Sequence, residues 1–464
     1  MYRVKELLAQ PFFKKISISF HKFENYPTGI ESHATAPLDW LICLLSLILS
    51  AFPENMDLAG LLIGPILAGL VGFTLFSLSK ELKLGEARWL LLGTYLLSPP
   101  LIWSCSIGRP DHQCLIASLI TLAILFESIR WQKPTYHPFA GSCWGLALWT
   151  SLWEPLILFS CVLLLNLIKR KHEHRAYLMG LGVMLVSFLA VDGLPSLAMS
   201  AEDRKLIMNW LATIGEIEHL HWLQLLQIGL PIFALPYLFY KKPSYLKHST
   251  PFYLILTLFV WTIFLSFFQK RWLPYMCVMG LFLTPLLFYQ YKKKKTFIML
   301  YILQFLPLII WNIWEYKMVK QPTELAELRE LATEAKPNEA LLGPWWHSPA
   351  FLYYARTPIV ASSSHQSLAG TLDSAQFFTT QSFVEAKKIL EKRQVRWVLI
   401  STPSNLYMNS FQILYGHRPY HRDIPKNPET DLVLLRLWYS KAVPKWLNLR
   451  GVTDHYRLYE VVQD

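Results

Sequence analysis

The sequence predicts a mainly α-helical, polytopic membrane bundle of about ten spans, followed by a soluble α/β domain. Three observations carry this expectation. The 464 residues are 53% hydrophobic and include 18 Trp, 22 Tyr and 27 Phe, too apolar and too aromatic for an ordinary soluble chain. Runs long enough to cross about 30 Å of hydrocarbon recur through the first two thirds. The net charge of +12 comes from Lys and Arg concentrated in short loops between apolar runs, where they set membrane orientation. That placement argues against a nucleic-acid partner.

In chain order, residues 1–57 read as part of an external loop. The run from Leu38 to Phe52 is short for a crossing and reads as an interfacial or re-entrant helix on the outer face. The bundle, residues 58–316, holds spans at about 58–78, 88–104, 112–129, 138–152, 155–168, 177–193, 222–240, 250–268, 273–290 and 296–316. One alternate set of loops, from Lys80 to the Lys292–Lys295 run, carries 16 Lys and Arg, against five in the opposite short loops. The first set is therefore expected on the cytoplasmic side. The loop around Asp111, the 194–221 loop, the turn at Gln269 to Trp272 and everything after about residue 317 then face outward. No cleavable signal peptide is visible, so the first span is expected to do the targeting.

Composition changes after the last span, and residues 317–464 read as an outward-facing mixed α/β domain. An amphipathic stretch runs from Thr323 to Lys336, and short apolar runs follow at Pro358 to Ala361 and Arg396 to Ile400. Ser382 precedes Glu385 at capping-box spacing and opens a helix ending near Gln394. The six cysteines lie in or beside apolar runs without CxxC spacing and read as small core residues. Cys105 and Cys114, which flank the Asp111 loop, are the one pair placed for a bridge.

The chemistry-bearing residues sit on the outer side. Gly108-Arg109-Pro110-Asp111-His112-Gln113 places a carboxylate, an imidazole and a guanidinium between two apolar runs, where such groups are costly and mark a site for ions or charged substrate. A solvated inter-helix turn is the alternative. The later outer loop contains Thr213-Ile214-Gly215-Glu216-Ile217-Glu218-His219. Carboxylates converging from separate loops are how proteins hold Mg²⁺ or Mn²⁺, which favour oxygen ligands, so Asp111 and Glu216 are candidate metal ligands. An exposed loop helix would equally accommodate Glu216 and Glu218.

Four segments in this order resemble the catalytic subunit of oligosaccharyltransferases, membrane glycosyltransferases of the GT-C superfamily. The Gly108 to Gln113 loop is similar to the family's second acidic motif, and Thr213-Ile214-Gly215-Glu216 to its TIxE motif. Arg271 resembles the external arginine before the penultimate helix, and Gly343-Pro344-Trp345-Trp346-His347-Ser348 resembles the WWDYG motif. The resemblance implies a GT-C-like fold, a Mn²⁺ or Mg²⁺ cofactor held by Asp111 and Glu216, and transfer of sugar from a polyprenyl-(pyro)phosphate carrier. It implies donor-phosphate or acceptor contacts for Arg109, His112, Lys270 and Arg271, and an acceptor pocket shaped by Trp345, Trp346 and His347. The metal neutralises charge developing on the phosphate leaving group while a carboxylate orients the nucleophile.

Two departures from the family pattern stand out. His347 follows the Trp pair where WWDYG has Asp, which puts recognition of an Asn-x-Ser/Thr acceptor in question. Family members also begin with a further helix and an outer-loop Asp, and Tyr2 to Leu8 resembles the segment just downstream of that Asp. Met1 is accordingly expected to be an internal start, with Asp39 the one nearby stand-in. The expected function is a glycosyltransferase moving a sugar or oligosaccharide from a lipid-linked donor to a protein or envelope-glycan acceptor, at the outer face of a membrane, with a bacterial cytoplasmic membrane the expected setting. A degenerate, non-catalytic homologue is the alternative. A secondary transporter would show inverted repeats and mid-membrane polar groups, whereas the ionisable residues here cluster at helix ends, with Glu127 and Glu154 as exceptions near span boundaries.

Overall fold

The computed structural model describes residues 1–10, 18, 20–31, 36–168, 175–193, 200–217, 250–290, 294–303, 306, 324–419 and 432–462. The described chain is mostly helical with a sheet near its C-terminal end. After α1 (Tyr2–Ala9) and α2 (Ala36–Ile48) come α3 (Asn55–Leu78), α4 (Arg88–Leu97), α5 (Pro99–Ser104), α6 (His112–Arg130), α7 (His137–Thr150), α8 (Trp153–Ile168) and α9 (Arg175–Val191). Helices α10 (Ala201–Leu211), α11 (Thr250–Phe268) and α12 (Leu273–Gln290) follow. The expected spans at 222–240 and, for most of its length, 296–316 lie outside the described residues.

Among the described residues, two helical stretches are long and apolar enough to cross a membrane, Asn55–Leu82 and His112–Arg130. Four shorter apolar helices accompany them. On α3, Leu70 and Phe73 remain exposed on one face, while Leu61 on the opposite side lines a cavity beside Gly108. The expected continuous span at 88–104 is instead two helices, because Pro99 and Pro100 cannot donate backbone hydrogen bonds and Ser98 between them and α4 is extended. Helices α7 and α9 pack closely through small residues. A Cβ at Gly141 would collide with the Tyr177 carbonyl and one at Gly180 with the Pro138 carbonyl, the small-residue contact that lets helices approach without a hydrophobic drive. All six cysteines are free; the Cys105 and Cys114 thiols touch without a bridge.

The C-terminal region holds a four-stranded sheet in the order β3-β4-β6-β5, with β3 (Ala340–Leu342) parallel to β4 (Val395–Ser401) and the other pairs antiparallel. Strands β5 (Leu447–Val452) and β6 (Tyr456–Val461) form a C-terminal hairpin. The sheet is covered by α13 (Glu324–Ala332), α14 (Ser348–Ala355), α15 (Leu368–Thr379), α16 (Phe383–Lys392), α17 (Pro403–Tyr415) and α18 (Val433–Trp438). The apolar run at Pro358 to Ala361, expected as an element, makes only isolated bridges at Ile359, to Glu24 and to Leu341. The capping box at Ser382 is half formed. Ser382 Oγ accepts from the Glu385 N–H (3.3 Å), whereas the Glu385 carboxylate accepts from Thr380 Oγ1 (2.6 Å) instead of reaching back to Ser382.

The N-terminal segment is joined to this sheet domain. Its two-residue strands β1 (Phe20–His21) and β2 (Ile30–Glu31) pair antiparallel. Between them the Tyr26 N–H donates to Ile359 O (3.1 Å), the Ile359 N–H donates to Phe23 O (2.8 Å), and Asn25 Oδ1 accepts from the Gly370 N–H (2.9 Å) and from Arg393 (3.2 Å). Residues 20–31 are therefore part of the sheet domain's surroundings.

Candidate active site

The Asp111 loop is built by its glycine and closed by its aspartate. Gly108 has φ +76°, a left-handed conformation that favours glycine, and its N–H donates to Leu61 O of α3 (3.0 Å). Asp111 is the N-cap of α6: its Oδ1 accepts from the Gln113 N–H (3.2 Å), satisfying one of the orphan donors of the helix start. His112 Nδ1 lies 2.8 Å from the same oxygen, and Arg109 Nη2 donates to Oδ2 (3.1 Å). A carboxylate only accepts, so Nδ1 carries a ring proton and donates it to Asp111. Burial alone would raise the Asp111 carboxyl; the hydrogen bond and charge of His112, the Gln113 N–H and the Arg109 charge outweigh it and hold the group well below the usual carboxylate range. Arg109 is itself braced over the Trp103 ring (3.5 Å).

Arg271 sits on a short 3-10 turn, Lys270–Trp272, between α11 and α12, and is ion-paired with Glu154 at the start of α8. Glu154 is fully buried and also accepts from Ser151 Oγ (2.8 Å). His112 lies within electrostatic reach of both Arg271 and Glu154. The Gly215–Ile217 turn, which carries the backbone of Glu216, packs against the Lys270–Trp272 turn. The side chain of Glu216 lies outside the described residues, as do Glu218 and His219.

The Trp pair is split between two environments. Trp345 packs edge to face on Trp210 of α10 (5.4 Å) and so ties the sheet domain to the segment leading into Thr213. That junction is reinforced by Asn209 donating to Ile413 O (3.2 Å) and Gln412 donating to Ala212 O (3.1 Å). Trp346 and His347 instead line a cavity of about 710 Å³ whose wall includes Gly108 and Pro110 of the Asp111 loop and Asp57 of α3. Burial pushes the His347 imidazole down to about 4, and Tyr456 Oη lies 3.3 Å from its Nε2.

The donors suited to Mn²⁺ or Mg²⁺ are incomplete among the described residues. Both Asp111 oxygens already have partners, and no three His, Cys, Asp or Glu side chains converge on one point among the described residues. Asp39 is engaged by Arg3 (3.1 Å). Two contributors were not assigned a role from sequence. Glu154 was visible as a carboxylate at the edge of an apolar run, a costly placement; Trp210 carried no signal that distinguishes it from a packing residue.

No protein-family model matches the chain. Over 64 residues it is 44% identical to dolichyl-phosphooligosaccharide-protein glycotransferase 2 of Archaeoglobus fulgidus, covering 14% of this chain and 10% of that protein. Over 93 residues it is 32% identical to glycotransferase 1 of the same organism, covering 20% and 15%. The structure superposes on the archaeal oligosaccharyltransferase AglB of A. fulgidus, solved with an inhibitory peptide and a dolichol-phosphate, with a TM-score of 0.70 over 97% of this chain and 74% of that one, at 14% identity. The chain has an oligosaccharyltransferase fold. A second A. fulgidus oligosaccharyltransferase structure, tethered to an acceptor peptide containing the NVT sequon, matches with a TM-score of 0.61 at 16% identity, over 86% of this chain and 64% of that one. The matched segments thus span only 10% and 15% of the curated glycotransferases. At 14% and 16% identity the structural likeness to oligosaccharyltransferases is one of fold.

Proposed function

We propose that this protein is a membrane glycosyltransferase that moves a sugar or oligosaccharide from a polyprenyl-(pyro)phosphate donor to a protein or envelope-glycan acceptor, at the outer face of a cytoplasmic membrane crossed about ten times. One observation carries the reading: the Asp111–His112 pair, the Arg271–Glu154 pair and the turn bearing Glu216 meet at one end of the bundle. The solved oligosaccharyltransferases with this fold were captured with a dolichol-phosphate or an acceptor peptide, which supports a lipid-linked donor and a protein acceptor.

In this reading Asp111, kept ionised, orients the acceptor nucleophile. Arg109, His112 and Arg271 meet the donor phosphate, and guanidinium groups suit phosphate oxygens through paired N–H donors. Trp346 and His347 shape the acceptor side of the cavity, with Trp345 holding that wall against α10. Were Mn²⁺ or Mg²⁺ bound, Asp111 and Glu216 would be the residues to hold it, and it would supply charge neutralisation at the leaving phosphate.

The test is glycan profiling of membrane and secreted fractions from cells with and without the gene, with the donor pathway shown to be present and Glu216→Gln as the control. Glycoconjugates are expected to disappear with the gene and with Glu216→Gln, and unchanged profiles would sink the assignment. The substitution of His347 for the motif Asp favours a second reading, a non-catalytic homologue. That reading predicts that Asp111→Ala and Glu216→Ala leave any phenotype of the gene intact.

A further inference from the structure

Glu154 occupies a position that needs an explanation. A carboxylate with no solvent exposure, between Trp153 and Pro155 at the start of an apolar helix, is costly unless paired. Its partners are Ser151 and Arg271. Arg271 has the opposite problem: a long, flexible cation on a three-residue turn at a helix end ordinarily extends along the chain surface toward water. The pairing through its Nε holds the guanidinium back against the bundle, within reach of His112 and beside the Gly215–Ile217 turn. With Nε turned toward Glu154 in that ion pair, the Nη edge of the planar group lies on the far side from the carboxylate and can present a paired-donor fork, the geometry that matches two oxygens of one phosphate.

We propose that Glu154 is a positioning residue that aims Arg271 at the phosphate end of the lipid-linked donor. This rests on the functional reading above. It adds a residue that touches neither donor nor acceptor and acts only through Arg271, so its effect depends on Arg271 being present.

The test is a double-mutant cycle on the full chain in lipid nanodiscs, comparing wild type, Glu154→Gln, Arg271→Gln and the double variant, each checked for folding by its thermal transition. Transfer from a defined lipid-linked donor is measured with donor concentration varied. Glu154→Gln is expected to lower kcat/KM for the donor by roughly tenfold or more, chiefly through KM, and to cost less than about twofold once Arg271 is already Gln. Glu154→Asp, which keeps the charge, is expected to recover part of the loss. Equal losses in both backgrounds, or wild-type kinetics for Glu154→Gln, would overturn the proposal.

If wild type transfers nothing, the functional reading fails, and the proposal is decided on the same four proteins by titration with inorganic pyrophosphate. Binding that weakens about tenfold on Glu154→Gln, with no further loss in the Arg271→Gln background, sustains it. Binding by none of the four, or equal binding by wild type and Glu154→Gln, overturns it.

Discussion

The two ends of α6 carry ionic clusters of opposite character. At the C-terminal end Arg130 Nε donates to Glu127 Oε2 (2.7 Å), its Nη2 donates to Asn166 Oδ1 (2.8 Å), and the guanidinium lies over the Tyr177 ring (4.7 Å). The Arg130 and Glu127 side chains are 2% and 0% exposed. At the N-terminal end Arg109, Asp111 and His112 keep 25%, 23% and 38% of their side-chain surface exposed. Both clusters share one helix and one bundle. A fold able to seal charge at one end leaves it open at the other, beside the cavity wall formed by Gly108 and Pro110. Sealed charge stabilises or specifies packing, whereas open charge on a bundle is available to a ligand.

Breaking the sealed end should have the larger effect on stability. Arg130→Ala strands Glu127 without its cation and is expected to cost about 3–5 kcal/mol, read from thermal or denaturant unfolding in nanodiscs. A loss below about 1 kcal/mol would mean that water already reaches the pair. At the open end the balance reverses. Asp111→Ala removes the cap of α6 and should cost about 1 kcal/mol while abolishing transfer. Asp111→Asn keeps an oxygen for the Gln113 N–H but gives up the charge that Arg109 and His112 pair with, so it should still cost about 1 kcal/mol at this partly exposed site, and transfer should fall roughly a hundredfold because the charge is gone. An Asn variant that transfers at the wild-type rate would reduce Asp111 to a helix cap.

The same contrast explains what could be read from the sequence. The Asp111 loop was legible because Gly108, Pro110 and a run of polar residues interrupt two apolar stretches, and the turns at 213–217 and 270–272 were legible by residue type. Their meeting depends on α8, α11 and α12 packing at one end of the bundle, a long-range arrangement that periodicity does not encode. The strand at Val395–Ser401 followed from the apolar run at Arg396 to Ile400. The C-terminal hairpin was missed. Apolar and polar residues alternate only over Leu447 to Arg450 before Gly451, and only over Tyr456 to Leu458 before Tyr459, runs too short to stand out as half-buried strands. The break at Ser98 was present in its two prolines, but hydropathy alone runs straight through them.

His347 supplies a case between the sealed and open ends. It lies on the cavity wall, partly covered, with Tyr456 Oη 3.3 Å from its Nε2 and Tyr456 in turn 3.5 Å from Glu324. Burial lowers its imidazole to about 4, against roughly 6.5 when unfolded. Between these values the unfolded chain binds the proton and the folded chain does not. The folded state therefore loses stability as pH falls from about 6.5 to about 4, and the loss levels off below that because both forms are then protonated. His347→Gln removes the titration. The thermal transition of the variant should fall less steeply than wild type across that window, by roughly 1 kcal/mol at its acid end once solvent screening is allowed for, and the two should differ by a constant above pH 7. Parallel curves through the whole range would mean that the ring is solvated like His112, placing the cavity wall with the open end of the molecule and not with the sealed one.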